Sequence, residues 1–539
     1  MQKFDAVIVG AGFSGMYMLH RLRQAGLSAR VYEAGENVGG VWFWNRYPGA
    51  KCDVESIYYN YSFSEELARE WTWTERYPDQ PSILRYLNHV ADRFALRSDI
   101  QFNTRVSAAH YDEKSARWLV SLESGEAVSA RYFISGVGAL SSSNTPNFKG
   151  LENFQGEAYH TGNWPHQPVS FEGKRVGVIG TGSSGIQAIP VIAQSARQLY
   201  VFQRTPQYTT PAENRPYTPE EIRQARENLD GIRQIKCSTW AGTPVSTLGD
   251  SALAVSADEL KRTYEKRWRD GGWMSGLYRD LVVNTEANAT VGEFIRGKIC
   301  EIVRDPAVAE KLLPTYQYAT KRPVLDSQYY ETFNRDNVTL VDIKRAPLEE
   351  ITANGLRTSA GEYELDALVF ATGYDAITGS LFRLNVHGKG GVKLQEKWQN
   401  GGQIRTYLGL ATAGFPNFFM ITGPESPSVL TNMVMSIEQH VEWIGDCIEH
   451  LQANGLDSIE ATAESEEQWS RHCSEVADTT LFPQGESWYT GANIQGKTMS
   501  FPIYLAGADV YRGICNRVAA NGYEGFALSA ADTTLVLEA

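Results

Sequence analysis

The stretch FDAVIVGAGFSGMYMLHRLRQAG, Phe4–Gly26, decides the fold. A short apolar run leads into a glycine turn, and the residues after it carry helical spacing. Gly10, Gly12 and Gly15 make G-x-G-x-x-G, with Ser14 among them. Gly10 permits the tight turn, Gly12 lets backbone approach a pyrophosphate, and Gly15 allows close helix–strand packing. The next apolar run, ARVYEAG, places Glu33 at its end, eighteen residues beyond Gly15. A carboxylate there accepts hydrogen bonds from a ribose diol. Strand, glycines, helix, strand and acid in this order predict a Rossmann-like dinucleotide-binding unit.

The pattern recurs at KRVGVIGTGSSGIQAIPVIAQ, Lys174–Gln194, with Gly180, Gly182 and Gly185. Thr181, Ser183, Ser184 and Gln187 stand in and just after this second loop as candidate ligands. Counting 23 residues from the first glycine reaches Glu33 in the first unit and Gln203 in the second, with Arg204 immediately after. Losing the acid and gaining an arginine suits a 2′-phosphate, which a carboxylate would repel. The two ribose ends therefore predict FAD in the first site and NADPH in the second.

FISGVGAL (Phe133–Leu140) and LDALVFATGYD (Leu365–Asp375) read as apolar strands that return the chain to the glycine loops. Residues 212–320 differ, with TPEEIRQARENLDGIRQ, SADELKRTYEKRW and TVGEFIRGKICEIV carrying helical spacing and charge. The expected class is α/β: two Rossmann-like domains, for FAD and NADPH, with a helical insertion in the NADPH domain. The boundaries read as 1–145 for the first part of the FAD domain and 146–211 for a linker and the first part of the NADPH domain. The insertion follows at 212–320, the NADPH domain resumes at 321–384, and 385–539 completes the FAD domain. In MSIEQHVEWIGDCIEHLQANG, the stripe Ile437, Val441, Ile444, Ile448 and Leu451 reads as core.

Composition narrows the partners. In 539 residues, hydrophobic content of 42% and charged content of 21% predict a globular chain of several domains. A net charge of −13 argues against nucleic acid or an anionic membrane surface. No apolar run is long enough to span a bilayer, and the start lacks the layout of a secretion signal. A cytoplasmic location is expected. Six scattered cysteines with no CxxC pair speak against a disulfide framework, a zinc site and a redox dithiol. The nine histidines form no metal-ligand pattern, so no metal is expected.

Two further motifs carry a resemblance. GGVWFWNRYPGAKCD (Gly39–Asp53) and FQGEAYHTGNWP (Phe154–Pro165), beside the two glycine units, resemble the type I Baeyer–Villiger monooxygenases. The pattern F-x-G-x-x-x-H-x-x-x-W-P is met at Phe154, Gly156, His160, Trp164 and Pro165, and the Gly39–Asp53 pattern is complete. The likeness covers nearly the whole chain, and stretches such as GTGSSGIQ, FQRTPQ and SWYTGAN look most like the phenylacetone monooxygenase branch.

The resemblance implies that NADPH reduces FAD and that the reduced flavin adds O₂ to form a C4a-peroxyflavin. This attacks a ketone, and the adduct rearranges to an ester or lactone. Arg322, in YATKRPVLD, is implied as the catalytic arginine, with Lys321 as a partner of the NADPH phosphate. A permanently charged donor suits an anion that must stay an anion, and Pro323 biases Arg322 towards extended backbone. Asp53 is implied to hold or tune Arg322 and to lie near the flavin. Trp42, Tyr59, Val106 and Met433 are implied FAD contacts, Trp488 a nicotinamide-ribose contact, and Thr205 a helper of Arg204. Ser428, Val429, Leu430 and Met433 are implied to border the ketone pocket. Glu425 stands where the phenylacetone branch has a small residue, so it is expected to change access or charge there. Phe154–Pro165 is read as a hinge between the domains, with His160 structural rather than catalytic.

The expected partners are a ketone and O₂, with no nucleic acid and no membrane, in a monomer or small homo-oligomer. The rivals are a flavin monooxygenase that oxygenates nitrogen or sulfur and a non-catalytic dinucleotide sensor. Trp164–Pro165 and Arg322 weigh against the first, and the complete set of implied oxygenation residues against the second.

Overall fold

In the computed structural model, which describes residues 1–244 and 247–530, two sheets, one mixed with a parallel centre and one parallel, carry the two glycine loops. The first has eight strands. At its centre β1 (Gln2–Val9) runs parallel to both β2 (Ala29–Tyr32) and β6 (Ala127–Ser135), with β3 (Ile100–Gln101) beyond β2. A central parallel strand has both faces covered, and the residues obey: Ala6, Val7 and Ile8 are fully buried. Ile8 joins the core on one face and Val7 and Val9 the core on the other. β5 (Arg117–Leu122) extends the sheet antiparallel to β6, and β4 (Val106–Asp112) lies beyond it, antiparallel to β5. Two late strands complete it: Phe418–Met420 pairs with β6, and Val386–His387 with β4. The helix Met433–Ala453 packs against α1 (Phe13–Gln24), and Val441, Ile444, Ile448 and Leu451 are fully buried in the shared core.

The second sheet is parallel throughout, in the order Val338–Asp342, β9 (Gln198–Gln203), β8 (Arg175–Ile179), Ala367–Phe370 and β7 (Glu157–His160). The stretch Phe154–Pro165 is therefore more than a linker. Its middle forms the edge strand β7, registered so that His160 lies opposite Phe370. Gly156 sits where a Cβ would be 2.5 Å from the Asp366 carbonyl oxygen, so only glycine lets the strand start there.

Between Pro219 and Leu312 the described residues form helices and short 3-10 turns but no strand. This segment touches both units. Val291, Ile295 and Ile299 of the helix Thr285–Ile302 enter the core of the second sheet. The helix Leu229–Ser238 is held instead to Met433–Ala453, through an ion pair of 2.9 Å between Lys236 and Glu438. Both side chains are buried, and Lys236 also donates to the Asn60 carbonyl.

Candidate active site

One cavity of about 1280 Å³ runs between the two sheets and past both glycine loops. Gly10 and Gly180 have φ of +97° and +106°, the left-handed region glycine enters without strain. At Gly15 an added Cβ would lie 1.8 Å from the Gly10 carbonyl oxygen, and at Gly185 2.3 Å from that of Gly180. These third glycines do not line the cavity. They let each helix sit against its own turn, as the spacing predicts. Gly12 and Gly182 do line it, and nothing lies within 4 Å of a Cβ placed on Gly182.

The two helices behind these loops start without a capping side chain. Helices elsewhere, after Asp79, Thr218, Asn284 and Thr462, are capped by their own side chains. Uncapped N–H groups at the positive end of a helix dipole suit a phosphate. Glu33, 5% exposed at the cavity wall, takes one backbone N–H on each carboxylate oxygen, from Ala11 and Gly35 at 2.7 Å. Each oxygen keeps acceptor capacity for a ribose hydroxyl. In the second unit the equivalent Gln203 is buried away from the cavity and donates to the Lys311 carbonyl. Arg204 lines the cavity there and makes no ion pair among the described residues. Lys321 lies close enough that, after burial, Arg204 is the next cause lowering its pKa. Two cations at a wall with Thr205 fit a phosphate on the ribose. The residues thus fit one dinucleotide on each sheet, the second with a 2′-phosphate.

Between these seats Arg322 meets Asp53. Nε and one terminal nitrogen of Arg322 donate to one Asp53 oxygen at 3.1 and 2.7 Å, and the other nitrogen donates to the Val429 carbonyl at 2.8 Å. Burial pulls the guanidinium down, but Asp53 and Tyr489 more than offset this and hold it above its ordinary value. Tyr489, with its phenol beside Arg322, is pushed up to about 12 by burial. Three of the five guanidinium N–H donors are spent on Asp53 and Val429, and Tyr489 occupies at most one more. A charged donor remains for an anionic oxygen at the junction of the two seats. Trp42 and Tyr59 share a 3.1 Å hydrogen bond and line the cavity, as do Val106, Met433 and Trp488.

The profile of the flavin-binding monooxygenase-like family matches residues 3–214. A Baeyer–Villiger monooxygenase of Pseudooceanicola batsensis is 46% identical over 96% of this chain and 95% of its own length. A phenazine N-monooxygenase of Lysobacter antibioticus is 43% identical over 99% of this chain and 98% of its own. A solved structure described as an oxidised steroid monooxygenase bound to NADP superposes with a TM-score of 0.94 at 48% identity, covering 98% of this chain and all of that one. The chain is a flavin-binding monooxygenase of the Baeyer–Villiger family.

In this Baeyer–Villiger chain several expected positions do other work. Ser428 and Leu430 do not line the cavity, whereas Val429, Thr431 and Met433 do. The 3-10 turn Ser428–Leu430 buries Ser428 and presents the Val429 carbonyl to Arg322. Glu425 points away from the cavity. One of its oxygens accepts from the Thr406 N–H and hydroxyl and from the Ser470 hydroxyl, at 2.9, 2.7 and 2.8 Å. Gln187 lines the cavity but spends both ends of its amide inside the protein. It accepts from Tyr47 Oη at 2.8 Å and donates to the Lys51 carbonyl at 3.0 Å, joining the second glycine helix to the segment that ends at Asp53.

His160 lies outside the lining of the cavity. Its Nδ1 accepts from the Gly162 N–H, which puts the proton on Nε2, facing the Asn144 carbonyl at 3.2 Å. Burial holds its pKa below the ordinary value. Trp164, buried among Tyr159 and Phe171, donates its backbone N–H to the Trp44 carbonyl and so ties β7's end to the Gly39–Asp53 segment. Sequence reading missed Tyr489, Tyr47 and Gln207 at this site. SWYTGAN and FQRTPQ contain Tyr489 and Gln207, but nothing in their spacing says which polar side chain meets Arg322.

Proposed function

We propose that this chain uses NADPH, FAD and O₂ to insert one oxygen atom beside a ketone carbonyl, giving an ester or lactone. The observation that carries the reading is the half-buried Arg322–Asp53 pair at the meeting point of two dinucleotide seats. In the reading, the glycine loop and Glu33 hold FAD, while Gly182, Ser183, Ser184, Arg204, Thr205 and Lys321 hold NADPH. The bound flavin would accept the hydride and supply the carbon that activates O₂. The chain supplies the rest. Arg322 holds negative oxygen without being able to protonate it, because a guanidinium does not give up its proton near neutral pH. Asp53 aims the guanidinium through two hydrogen bonds to one oxygen. Trp42, Tyr59 and Trp488 keep water from the reacting centre. Val429, Thr431 and Met433 border the ketone.

A second reading has one observation behind it. The full-length relative named for phenazine N-oxygenation means that overall likeness does not choose between ketone and ring nitrogen. Arg322 favours the ketone, whose oxygen becomes an anion on addition, whereas a nitrogen attacked by an electrophilic oxygen gains no negative charge. The purified yellow protein is to be mixed with NADPH and a panel of linear, cyclic, aryl and steroid ketones, and in parallel with a phenazine. Ketone-dependent NADPH loss with ester formation is expected, and Arg322→Ala should still reduce flavin yet make no ester. Oxygenation of the phenazine alone would overturn the reading in favour of its rival. Free cysteines throughout the described residues, a net charge of −13, and the absence among those residues of any helix long and apolar enough to cross a membrane support a cytoplasmic location. A monomer or small homo-oligomer fits the same reading.

A further inference from the structure

The segment that carries Lys321 and Arg322 has no secondary structure of its own. It lies between the helix Pro306–Leu312 and the strand Val324–Asp326, and Ala319 within it takes φ of +70°. Side chains therefore have to set its backbone. Asn288 holds one end, donating to the Tyr318 carbonyl and accepting from the Tyr318 N–H, both at 2.9 Å. At the other end one side chain reaches Arg322 itself. Gln207 Nε2 donates to the Arg322 carbonyl at 3.1 Å. The Gln207 amide cannot be turned over, because a carbonyl only accepts, and its own oxygen accepts from Tyr316 Oη. The Gln207 backbone carbonyl is held in turn by Tyr330 Oη at 2.8 Å. The Lys321 ammonium lies 5.4 Å from the centre of the Tyr316 ring, so Tyr316 meets Lys321 directly and Arg322 only through Gln207.

We propose that Gln207 is a positioning residue that sets the Arg322 guanidinium by fixing the Arg322 carbonyl, with Tyr316 as its anchor. Gln207 stands three residues after Arg204 and two after Thr205 on the wall where the second nucleotide's phosphate would lie. The short stretch Arg204-Thr205-Pro206-Gln207 thus spans from the proposed phosphate grip to the backbone of the proposed catalytic arginine, with Pro206 limiting its freedom. The inference rests on the reading of Arg322 given above.

The test compares Gln207→Leu, Tyr316→Phe and Arg322→Ala in the flavin-loaded protein. Tyr316→Phe keeps the ring beneath Lys321 and removes only the anchoring hydroxyl, so it decides if Gln207→Leu does not fold. Both variants should reduce flavin with NADPH at a rate within about twofold of the parent. Ester formed per NADPH consumed should fall by about tenfold or more, with peroxide in its place, because catalytic geometry tolerates little displacement. Amide hydrogen exchange over residues 316–323 should quicken in both variants and stay slow in Arg322→Ala. Unchanged exchange or unchanged ester yield in both would overturn the role of Gln207. So would a rise confined to the KM for NADPH, which would make Gln207 a nucleotide ligand. Ester production by Arg322→Ala would instead sink the reading of Arg322, and the exchange result would still judge Gln207 by itself.

Discussion

Arg322, half-buried, and Glu425, buried, show how differently two charged residues are handled. Arg322 is held charged by a partner, and its two hydrogen bonds to one Asp53 oxygen depend on the planar guanidinium. Arg322→Lys keeps the charge and loses that geometry. It should reduce flavin normally but release peroxide instead of ester, and product analysis against NADPH consumed checks this. Glu425 makes no ion pair among the described residues, and Arg405 pulls on it only weakly. Burial raises its carboxyl from 4.5 to about 7, against the pull of its Thr406 and Ser470 hydrogen bonds. A carboxyl whose pKa is raised by folding favours the fold most when protonated. Its contribution is complete below about 4.5, is lost as pH climbs to about 7, and stays lost above, a change of about 3 kcal/mol. Glu425→Gln should therefore raise the thermal midpoint at pH 8 and leave it nearly unchanged at pH 4.5. An equal effect at both would contradict the assignment.

At the scale of the element, the glycines of one loop separate folding from binding. Gly185 faces its own turn at a distance no Cβ can occupy, whereas Gly182 opens on the cavity with nothing in reach. Gly185→Ala should push the helix Ser183–Ser195 off β8 and yield little soluble protein. Gly182→Ala should fold like the parent but raise the KM for NADPH by roughly tenfold, since a methyl group there intrudes where a pyrophosphate would lie. Steady-state kinetics with thermal melts on both variants tells the two effects apart. β7 carries a related lesson. Its motif is an edge strand whose last residue, His160, is fixed in structural hydrogen bonds, and whose exit binds Trp164 to the Trp44 carbonyl. A hinge can run through such a stretch only by moving the second sheet as one piece.

On the scale of the whole molecule, the helical segment couples the two sheets. The Lys236–Glu438 pair fixes the helix Leu229–Ser238 to the first unit while Thr285–Ile302 packs in the second. With Lys236 1% exposed, removing it leaves Glu438 buried without its cation. Lys236→Met should cost about 3–5 kcal/mol, and adding Glu438→Leu should restore much of it. Thermal and denaturant unfolding of the single and double variants checks both statements. If the single variant melts like the parent, the pair does not hold the segment.

Local pattern was enough for the two nucleotide units, because their glycines answer to constraints within some twenty residues: a tight turn, a close helix, an acid at the next strand's end. The same holds for the buried stripe of Met433–Ala453, which needs only helical period and apolar side chains. Other assignments could not be made that way. Gln187 carries the spacing of a nucleotide ligand and lines the cavity, and its amide also bonds Tyr47 and Lys51, some 140 residues earlier. Ser428 and Glu425 sit in a loop that borders the cavity, but which side chains face in depends on the packing of Thr406 and Ser470. Sequence by itself determined the two Rossmann-like units, the glycine loops and the family motifs, since each is specified by neighbours along the chain. The pairing of Arg322 with Asp53 was implied by the family motifs, but only the tertiary structure decided its geometry across 269 positions, and that Gln207 bonds the Arg322 carbonyl. Such contacts depend on where distant backbone lies, and no local spacing encodes that distance.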